Sequence, residues 1–375
     1  MAQELKLAAI DVKPGGAMES QSGLAMLRPR IFGAYMEAQG PKKCAAIVVH
    51  PTSNFMGHYL IAPLAERGVT CMGLNSRYVN NDTMLLNERV IQDLGAGVKY
   101  LRDRGYEKVV LLGNSGGAAI VSFYQAQAEK LTATHFPDGK PTGLRPEDFP
   151  KADAISLFGA HEGRSHLFLK WIDPSVIAES DPLSADPEVD IYNPAHAVPF
   201  SPIFLEKFHA AQRRRRDSIE HWALARLRLL ESDPAGPQDQ AFVIYRTHAE
   251  PRCLDSTLDA NDRPPGKSIW GDPKAVNYGP NSVGRYTSLR AFLSQWSSLS
   301  QADGPTNLAR TSVPMLLFTY TADASTFPST RDAWLRAAGA RGRNIDVKGG
   351  NHYLAGQPEL VTQVADEMAA WIQAL

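Results

Sequence analysis

Cysteine is scarce in this 375-residue chain: Cys44, Cys71 and Cys253 are the only three, odd in number and far apart. They supply neither a disulfide framework nor a zinc-ligand spacing, so a reducing, cytoplasmic setting is expected. Cys44 and Cys71 fall in apolar runs and read as inert core residues. An excess of charge of either sign is also missing, with 39 Lys and Arg against 40 Asp and Glu. Without a global basic field, nucleic acid is not expected as a partner. The longest apolar runs, at 45–49 and 313–318, are far too short to span a bilayer. The N-terminus lacks a basic start followed by an apolar stretch, so no secretory signal is read there and no membrane partner is expected. No internal repeat is found.

The chain does have a core-forming composition, 43% hydrophobic. That suffices to bury one large core or two smaller ones. Residues 24–38 predict early antiparallel strands. The continuous apolar run Cys44–His50 suits a strand covered on both faces. Residues 56–67 predict a helix closed by Gly68, and 69–74 a strand. Leu86, Val90, Leu94, Val98 and Leu101 line one helical face, ended by Gly105. Strands are predicted at 108–112 and Ala154–Phe158. The rhythm breaks at His161 and resumes near 310 with strand 313–320, helix 330–338, strand 344–347 and helix 358–375. Val361, Val364, Met368, Trp371 and Ile372 stripe that last helix. Such alternation predicts an α/β fold, a mostly parallel central sheet with helices on both faces. Residues 1–160 and 310–375 form its core domain. Residues 161–309 form a large, mainly helical insertion placed as a cap over the strand ends.

The strand at 108–112 runs into Gly113-Asn114-Ser115-Gly116-Gly117, and a segment of helical character follows. In a G-x-S-x-G turn between strand and helix, glycines leave room where the two elements meet. The serine backbone is strained and its hydroxyl is pushed out at the end of the sheet. An exposed hydroxyl becomes a nucleophile only if a base takes its proton and donors hold the oxyanion that forms. His352, in the glycine-rich loop after 344–347, is the candidate base. Asp323, the first acid after 313–320, is the candidate orienting carboxylate, with Glu162 after Ala154–Phe158 as its rival and Asp332 nearby. The order Ser115, Asp323, His352 suits this architecture. The backbone N–H of Gly116 is one expected oxyanion donor. The second is expected from the loop after Cys44–His50, which reads Pro51-Thr52-Ser53-Asn54. Pro51 has no N–H, so Thr52 is the candidate, followed by Ser53. His50 is read as the organiser of that loop.

On these residues the chain resembles the α/β-hydrolase family over roughly 40–160 and 310–375. His50-Pro51 stands where many members carry His-Gly. The resemblance implies a Ser-His-Asp serine hydrolase that cleaves an ester-type bond (ester, lactone, amide or thioester) through an acyl-enzyme. Serine at 115 argues against the carboxylate-nucleophile chemistry of epoxide hydrolases and dehalogenases in the family. Carbon–carbon bond hydrolysis and acyl transfer use the same triad, and a ligand sensor on the same scaffold is the non-enzyme alternative. No metal or organic cofactor is implied, and the partner is a small-molecule substrate.

The insertion holds Trp171, Trp222, Trp270 and Trp296 and many phenylalanines. Some must glue its helices together, and the rest predict an apolar, aromatic-rich cavity for a medium-sized substrate. Trp171, Trp222, His50, Ser53 and His161 are the candidate substrate contacts. For His58 and His161 the plainer reading is local hydrogen bonding. Arg213, Arg214, Arg215 and Arg216 read as a solvated helix face rather than an anion-binding patch. The loop-rich segment 247–285 has two readings, a wall of the pocket mouth or a cover for the second subunit of a homodimer.

Overall fold

The computed structural model describes residues 4–14, 29–280 and 282–375. The chain begins with β1 (Leu5–Asp11), β2 (Arg30–Met36), β3 (Cys44–His50), α1 (Ile61–Glu66), β4 (Thr70–Asn75), α2 (Asn87–Arg102), β5 (Lys108–Asn114), α3 (Gly117–Glu129) and β6 (Ala154–Phe158). Then come α4 (Arg164–Trp171), β7 (Val176–Ala178), β8 (Asp181–Ala185), α5 (Pro202–Glu231), β9 (Ala241–Val243), α6 (Pro251–Leu254), α7 (Pro273–Tyr278), β10 (Tyr286–Ser288), α8 (Leu289–Gln295) and α9 (Gly304–Leu308). The chain closes with β11 (Met315–Tyr320), α10 (Pro328–Ala338), β12 (Gly342–Val347) and α11 (Pro358–Gln373).

Eight of these strands form one sheet in the order β1-β2-β4-β3-β5-β6-β11-β12. β2 runs antiparallel to both its neighbours, and every pair from β4 to β12 is parallel. The alternation of strand and helix therefore yields the parallel, doubly covered sheet that it predicts. The pleat sorts β3 by parity. Ala45, Ile47 and Val49 join the apolar layer that holds Val90, Leu94, Phe123 and Trp334 from α2, α3 and α10. Cys44, Ala46 and Val48 join the opposite layer, with Leu64 of α1 and Val364, Met368 and Ile372 of α11. All three cysteines are buried and unpaired.

Two expectations shift in detail. Residues 24–28 lie outside the described residues, and β2 carries the rest of the early strand reading. The helix expected over 56–67 begins only at Ile61. Before it the chain turns on side-chain and backbone bonds of His58, whose N–H donates to Phe55 O (3.0 Å) and whose Nδ1 accepts from Leu60 N–H (3.2 Å). Such local bonds compete with helical ones.

Between β6 and β11 the chain builds two apolar clusters of its own. One joins Phe168, Ile219, Ala223, Phe292 and Trp296, and the other joins Phe200, Phe204 and Phe208. The arginine run lies on α5 and departs from the solvated reading most at Arg215, with Arg216 half-buried beside Asp217. Arg213 and Arg214 are exposed. Arg215 turns inward, bonds both carboxylate oxygens of Glu179 (2.7 and 2.8 Å) and donates to Asp173 O (2.6 Å) and Tyr245 O (2.8 Å). Beside it Arg246 and Asp173 form a buried ion pair at 2.7 Å, with Asn277 Nδ2 donating to the same carboxylate (2.6 Å). Arg215 therefore stitches α5 to its neighbouring loops.

A buried polar seam joins this segment to α2. Asn87 donates its N–H to Ser294 Oγ (2.8 Å) and its amide to Ser294 O (2.7 Å). Ser294 Oγ donates to Glu88 Oε2 (2.8 Å), and Gln301 Nε2 donates to Glu88 Oε1 (3.0 Å). Burial pushes the Glu88 carboxyl up to about 7, against the pull of those hydrogen bonds. The folded pKa thus exceeds that of the unfolded chain. The native state holds the extra proton, and stability falls as pH rises from the ordinary carboxyl value through about 7. Glu88→Gln is expected to remove this loss. Relative to wild type the variant should gain about 2–3 kcal/mol between pH 5 and pH 8, read from urea unfolding at each pH.

Candidate active site

β5 delivers Ser115 in the left-handed region, φ +55°. Backbone bonds hold it there: Ser115 N–H donates to Phe158 O (3.0 Å), and Ser115 O accepts from Ala118 N–H (3.1 Å) and His161 N–H (3.2 Å). The flanking glycines are required by contact. A Cβ on Gly117 would lie 1.9 Å from Val49 O, and one on Gly113 would lie 2.6 Å from Ala118 Cα. The turn is therefore wedged between β3, β6 and α3, and it lifts the serine hydroxyl at the C-terminal edge of the sheet.

Ser115 Oγ lies 3.0 Å from His352 Nε2, and His352 Nδ1 lies 2.7 Å from Asp323 Oδ2. The carboxylate accepts, so Nδ1 carries the proton and Nε2 presents its lone pair to the hydroxyl. His352 and Asp323 are both buried. Their loops are cross-linked: Ala322 N–H donates to Gly350 O (3.0 Å), and Gly349 N–H donates to Thr321 Oγ1 (2.8 Å). Gly159, at φ +51°, leaves the imidazole room, since a Cβ there would lie 3.3 Å from His352 Cε1. Asp323 also accepts from Ser325 N–H (2.7 Å), Thr326 N–H (3.2 Å) and Thr326 Oγ1 (2.6 Å). Burial pushes its carboxyl up. The charge of His352, with hydrogen bonds from His352 and Thr326, outweighs that and holds it below its ordinary value. The sequence Asp323-Ala-Ser325-Thr326 carries the signal for this cradle, an acid followed at two and three residues by small polar groups.

Neither rival acid reaches the imidazole. Glu162 pairs with Lys170, and Asp332 pairs with Arg331 at 2.9 Å.

The loop after β3 differs from expectation at Thr52. Its N–H donates to His50 Nδ1 (3.1 Å), as does that of Ser53 (2.8 Å), and its hydroxyl accepts from Arg164 (2.8 Å). Thr52 N–H is therefore already engaged and does not stand ready for an oxyanion. His50, read from the sequence as the organiser of this loop, takes these donors itself. Gly116 opens α3, and N–H groups of a first helical turn lack helical partners.

Ser115, His50, Thr52, Ser53 and Gly116 line one cavity of about 1020 Å³. His161 and Trp171 line it as well, together with Trp270, Trp296 and Tyr353. Trp222 does not. It projects from the outer side of α5, packs on Phe242 at 5.0 Å between ring centroids, and lines a separate groove. Helical spacing put it with the inward residues, but Ile219, Ala223 and Leu227 occupy the buried side of that helix. His161 faces the site as a neutral ring. Burial first, then the charge of His352, pushes its pKa down to about 3, and its Nε2 lies 2.9 Å from Ser325 Oγ. Sequence reading missed Arg164, which bridges Thr52 to Asp82 (3.0 Å) and stacks 4.8 Å from the Trp296 ring centroid. A lone arginine opening a short helix gives no sequence signal.

No family model matches the chain, and no curated protein matches it in sequence. Solved structures match it along almost its whole length. The structure of the DcsB complex with its substrate analogue is 13% identical with a TM-score of 0.53, covering 98% of this chain and 99% of that one. Hypothetical protein PA2218 from Pseudomonas aeruginosa is 11% identical with a TM-score of 0.52, covering 99% of this chain and 94% of that one. At these identities the likeness is one of fold.

The glycine contacts make a paired test. Gly117→Ala is expected to destabilise by at least about 1–3 kcal/mol, because a rigid carbonyl must move. Gly116→Ala meets the edge of the His50 ring at 3.0 Å and Pro51 Cγ at 3.7 Å, on ordinary helical backbone (φ −61°, ψ −16°). Its melting temperature is expected to stay near that of wild type in calorimetry.

Proposed function

We propose that this chain of α/β-hydrolase fold is a serine hydrolase. It cleaves an ester-type bond of a medium-sized, apolar or aromatic small molecule through an acyl-enzyme. One observation carries the reading: an unbroken hydrogen-bonded row, Ser115 Oγ to His352 to Asp323, opens into a cavity of about 1020 Å³ walled by tryptophans. Residues 161–309 serve as a cap, since they supply Trp171, Trp270 and Trp296 to that cavity.

Ser115 Oγ attacks the acyl carbon while its proton passes to His352 Nε2. Asp323 stabilises the imidazolium and keeps its orientation. The tetrahedral oxyanion collapses, the bond to the leaving group breaks, and His352 gives its proton to the departing oxygen. Water then enters. His352 takes one of its protons, hydroxide attacks the acyl carbon, and the Ser115 ester bond breaks with the proton returned to Oγ. The two carbonyl-directed steps need N–H donors at the oxyanion, and Gly116 N–H is one.

Ser115→Ala and His352→Ala are each expected to lower kcat on p-nitrophenyl esters by at least about 10⁴-fold with folding intact. Asp323→Asn is expected to cost about 10⁴-fold. A fluorophosphonate probe should label wild type and not Ser115→Ala. A wild-type protein that is folded yet neither labelled nor active would leave the scaffold a ligand sensor, detected by thermal stabilisation on ligand binding.

A further inference from the structure

An acyl-transfer site needs two or more donors converging on the oxyanion, and the β3 loop does not offer the Thr52 or Ser53 N–H expected of it. Pro51 has none. Thr52 and Ser53 direct theirs at His50 Nδ1, at 3.1 and 2.8 Å. Phe55 N–H donates to Asn75 Oδ1 (2.8 Å) and Met56 N–H to Asn54 Oδ1 (3.1 Å).

The same bonds fix the state of the His50 ring. A nitrogen that accepts two N–H donors must present its lone pair, so the proton of the neutral imidazole sits on Nε2. The ring stays neutral, because burial first, and then the charge of Arg164, holds its pKa well below the ordinary imidazole value. Nε2 lies beside the backbone that follows the nucleophile, 3.0 Å from the point where a Cβ on Gly116 would stand. His50, Ser115 and Gly116 face the same cavity. Among the described residues, no group forms a hydrogen bond with Nε2.

We propose that the His50 side chain is the second oxyanion donor. Its Nε2–H pairs with the Gly116 N–H across the oxygen that develops negative charge on the acyl carbon. Resting on the serine hydrolase reading, this adds a catalytic residue to it. No proton leaves His50: the ring donates a hydrogen bond and remains neutral. The two N–H groups that point at Nδ1 draw electron density from the ring and strengthen Nε2–H as a donor. A side chain at 116 is then excluded by function rather than by stability. A methyl there would crowd the space between the two donors.

Two variants separate this role from that of a loop organiser. In His50→Asn the amide oxygen stands near the place of Nδ1 and still accepts from Thr52 and Ser53, but nothing reaches the place of Nε2. In His50→Gln the longer amide reaches the place of Nε2 and leaves the loop N–H groups without that acceptor. The donor role ranks Gln above Asn, and a purely structural role ranks Asn above Gln. The readouts are kcat and KM on p-nitrophenyl acetate, the rate of fluorophosphonate labelling, and inhibition by phenyl trifluoromethyl ketone, whose adduct with Ser115 carries an oxyanion. His50→Asn is expected to lose about 10²–10³-fold in kcat with KM little changed, and the ketone affinity should fall in step. His50→Gln should recover about tenfold or more of that loss. A His50→Asn variant within a few-fold of wild type in kcat and ketone affinity overturns the proposal, as does an Asn variant equal to or better than Gln. If His50→Asn does not fold, His50→Gln decides: kcat within about tenfold of wild type supports the donor, and a loss beyond 10²-fold at an unchanged melting temperature overturns it. Wild type that is neither labelled nor active would instead defeat the hydrolase reading itself.

Discussion

The left-handed backbone at Ser115 is the constraint on which the site depends. A non-glycine residue at φ +55° stores strain that its surroundings must hold. Here Phe158 O receives its N–H, while Ala118 and His161 donate to its carbonyl. β6, α3 and the loop after β6 therefore all meet at one residue. The near-contact of Gly117 with Val49 O brings β3 to the same point. Relaxing that turn would move the hydroxyl away from an imidazole 3.0 Å distant. Two of the elements that clamp the serine also carry residues of the cavity wall, His50 at the end of β3 and His161 after β6. Strain and shape are thus set together.

The parts of the fold and site that were legible in the sequence are those with a local physical signature. The run Cys44–His50 could hardly be anything but a doubly covered strand, and the glycines of Gly113-Asn114-Ser115-Gly116-Gly117 announce a turn too tight for side chains. Asp323 and His352 were found because each follows directly on a strand of a parallel sheet, where successive strand ends share one edge. What stayed hidden was decided by contacts between distant segments. Thr52 looked like a donor because the residue before it is proline, yet its N–H turns back to His50. Trp222 lies within two helical turns of buried residues, and only the packing of α5 against α8 decides which side is inward. Arg215 and its neighbours read alike in sequence, but Glu179 and the carbonyls of Asp173 and Tyr245 single it out.

Around Ser115, three neutral histidines and one paired arginine stand beside His352. His161 is held at low pKa by burial and by His352, and His58 is pushed down to about 4 by burial. Their neutrality matters for the electrostatics of the cavity. A positive ring beside His352 would oppose the imidazolium that the proposed acyl transfer forms. Arg164 carries the permanent charge, and Asp82, 3.0 Å away, offsets it.

The seam of Asn87 and Glu88 with Ser294 and Gln301 has a kinetic consequence. Swinging the entire span from 161 to 309 away as one rigid body would break four hydrogen bonds of that seam at once. That step costs several kcal/mol. The far part of the span is anchored to the loop of Asp323: Asn261 Nδ2 donates to Asp323 O (2.9 Å), Asp262 N–H donates to Thr321 O (2.7 Å), and Thr321 Oγ1 donates to Asp262 Oδ2 (2.6 Å). There the exposed bond from Trp270 Nε1 to Tyr353 Oη, 3.2 Å long, joins it to the loop of His352. The span is thus tied to the core at both margins, and the wall built on α8 stays in place unless both sets of bonds break together.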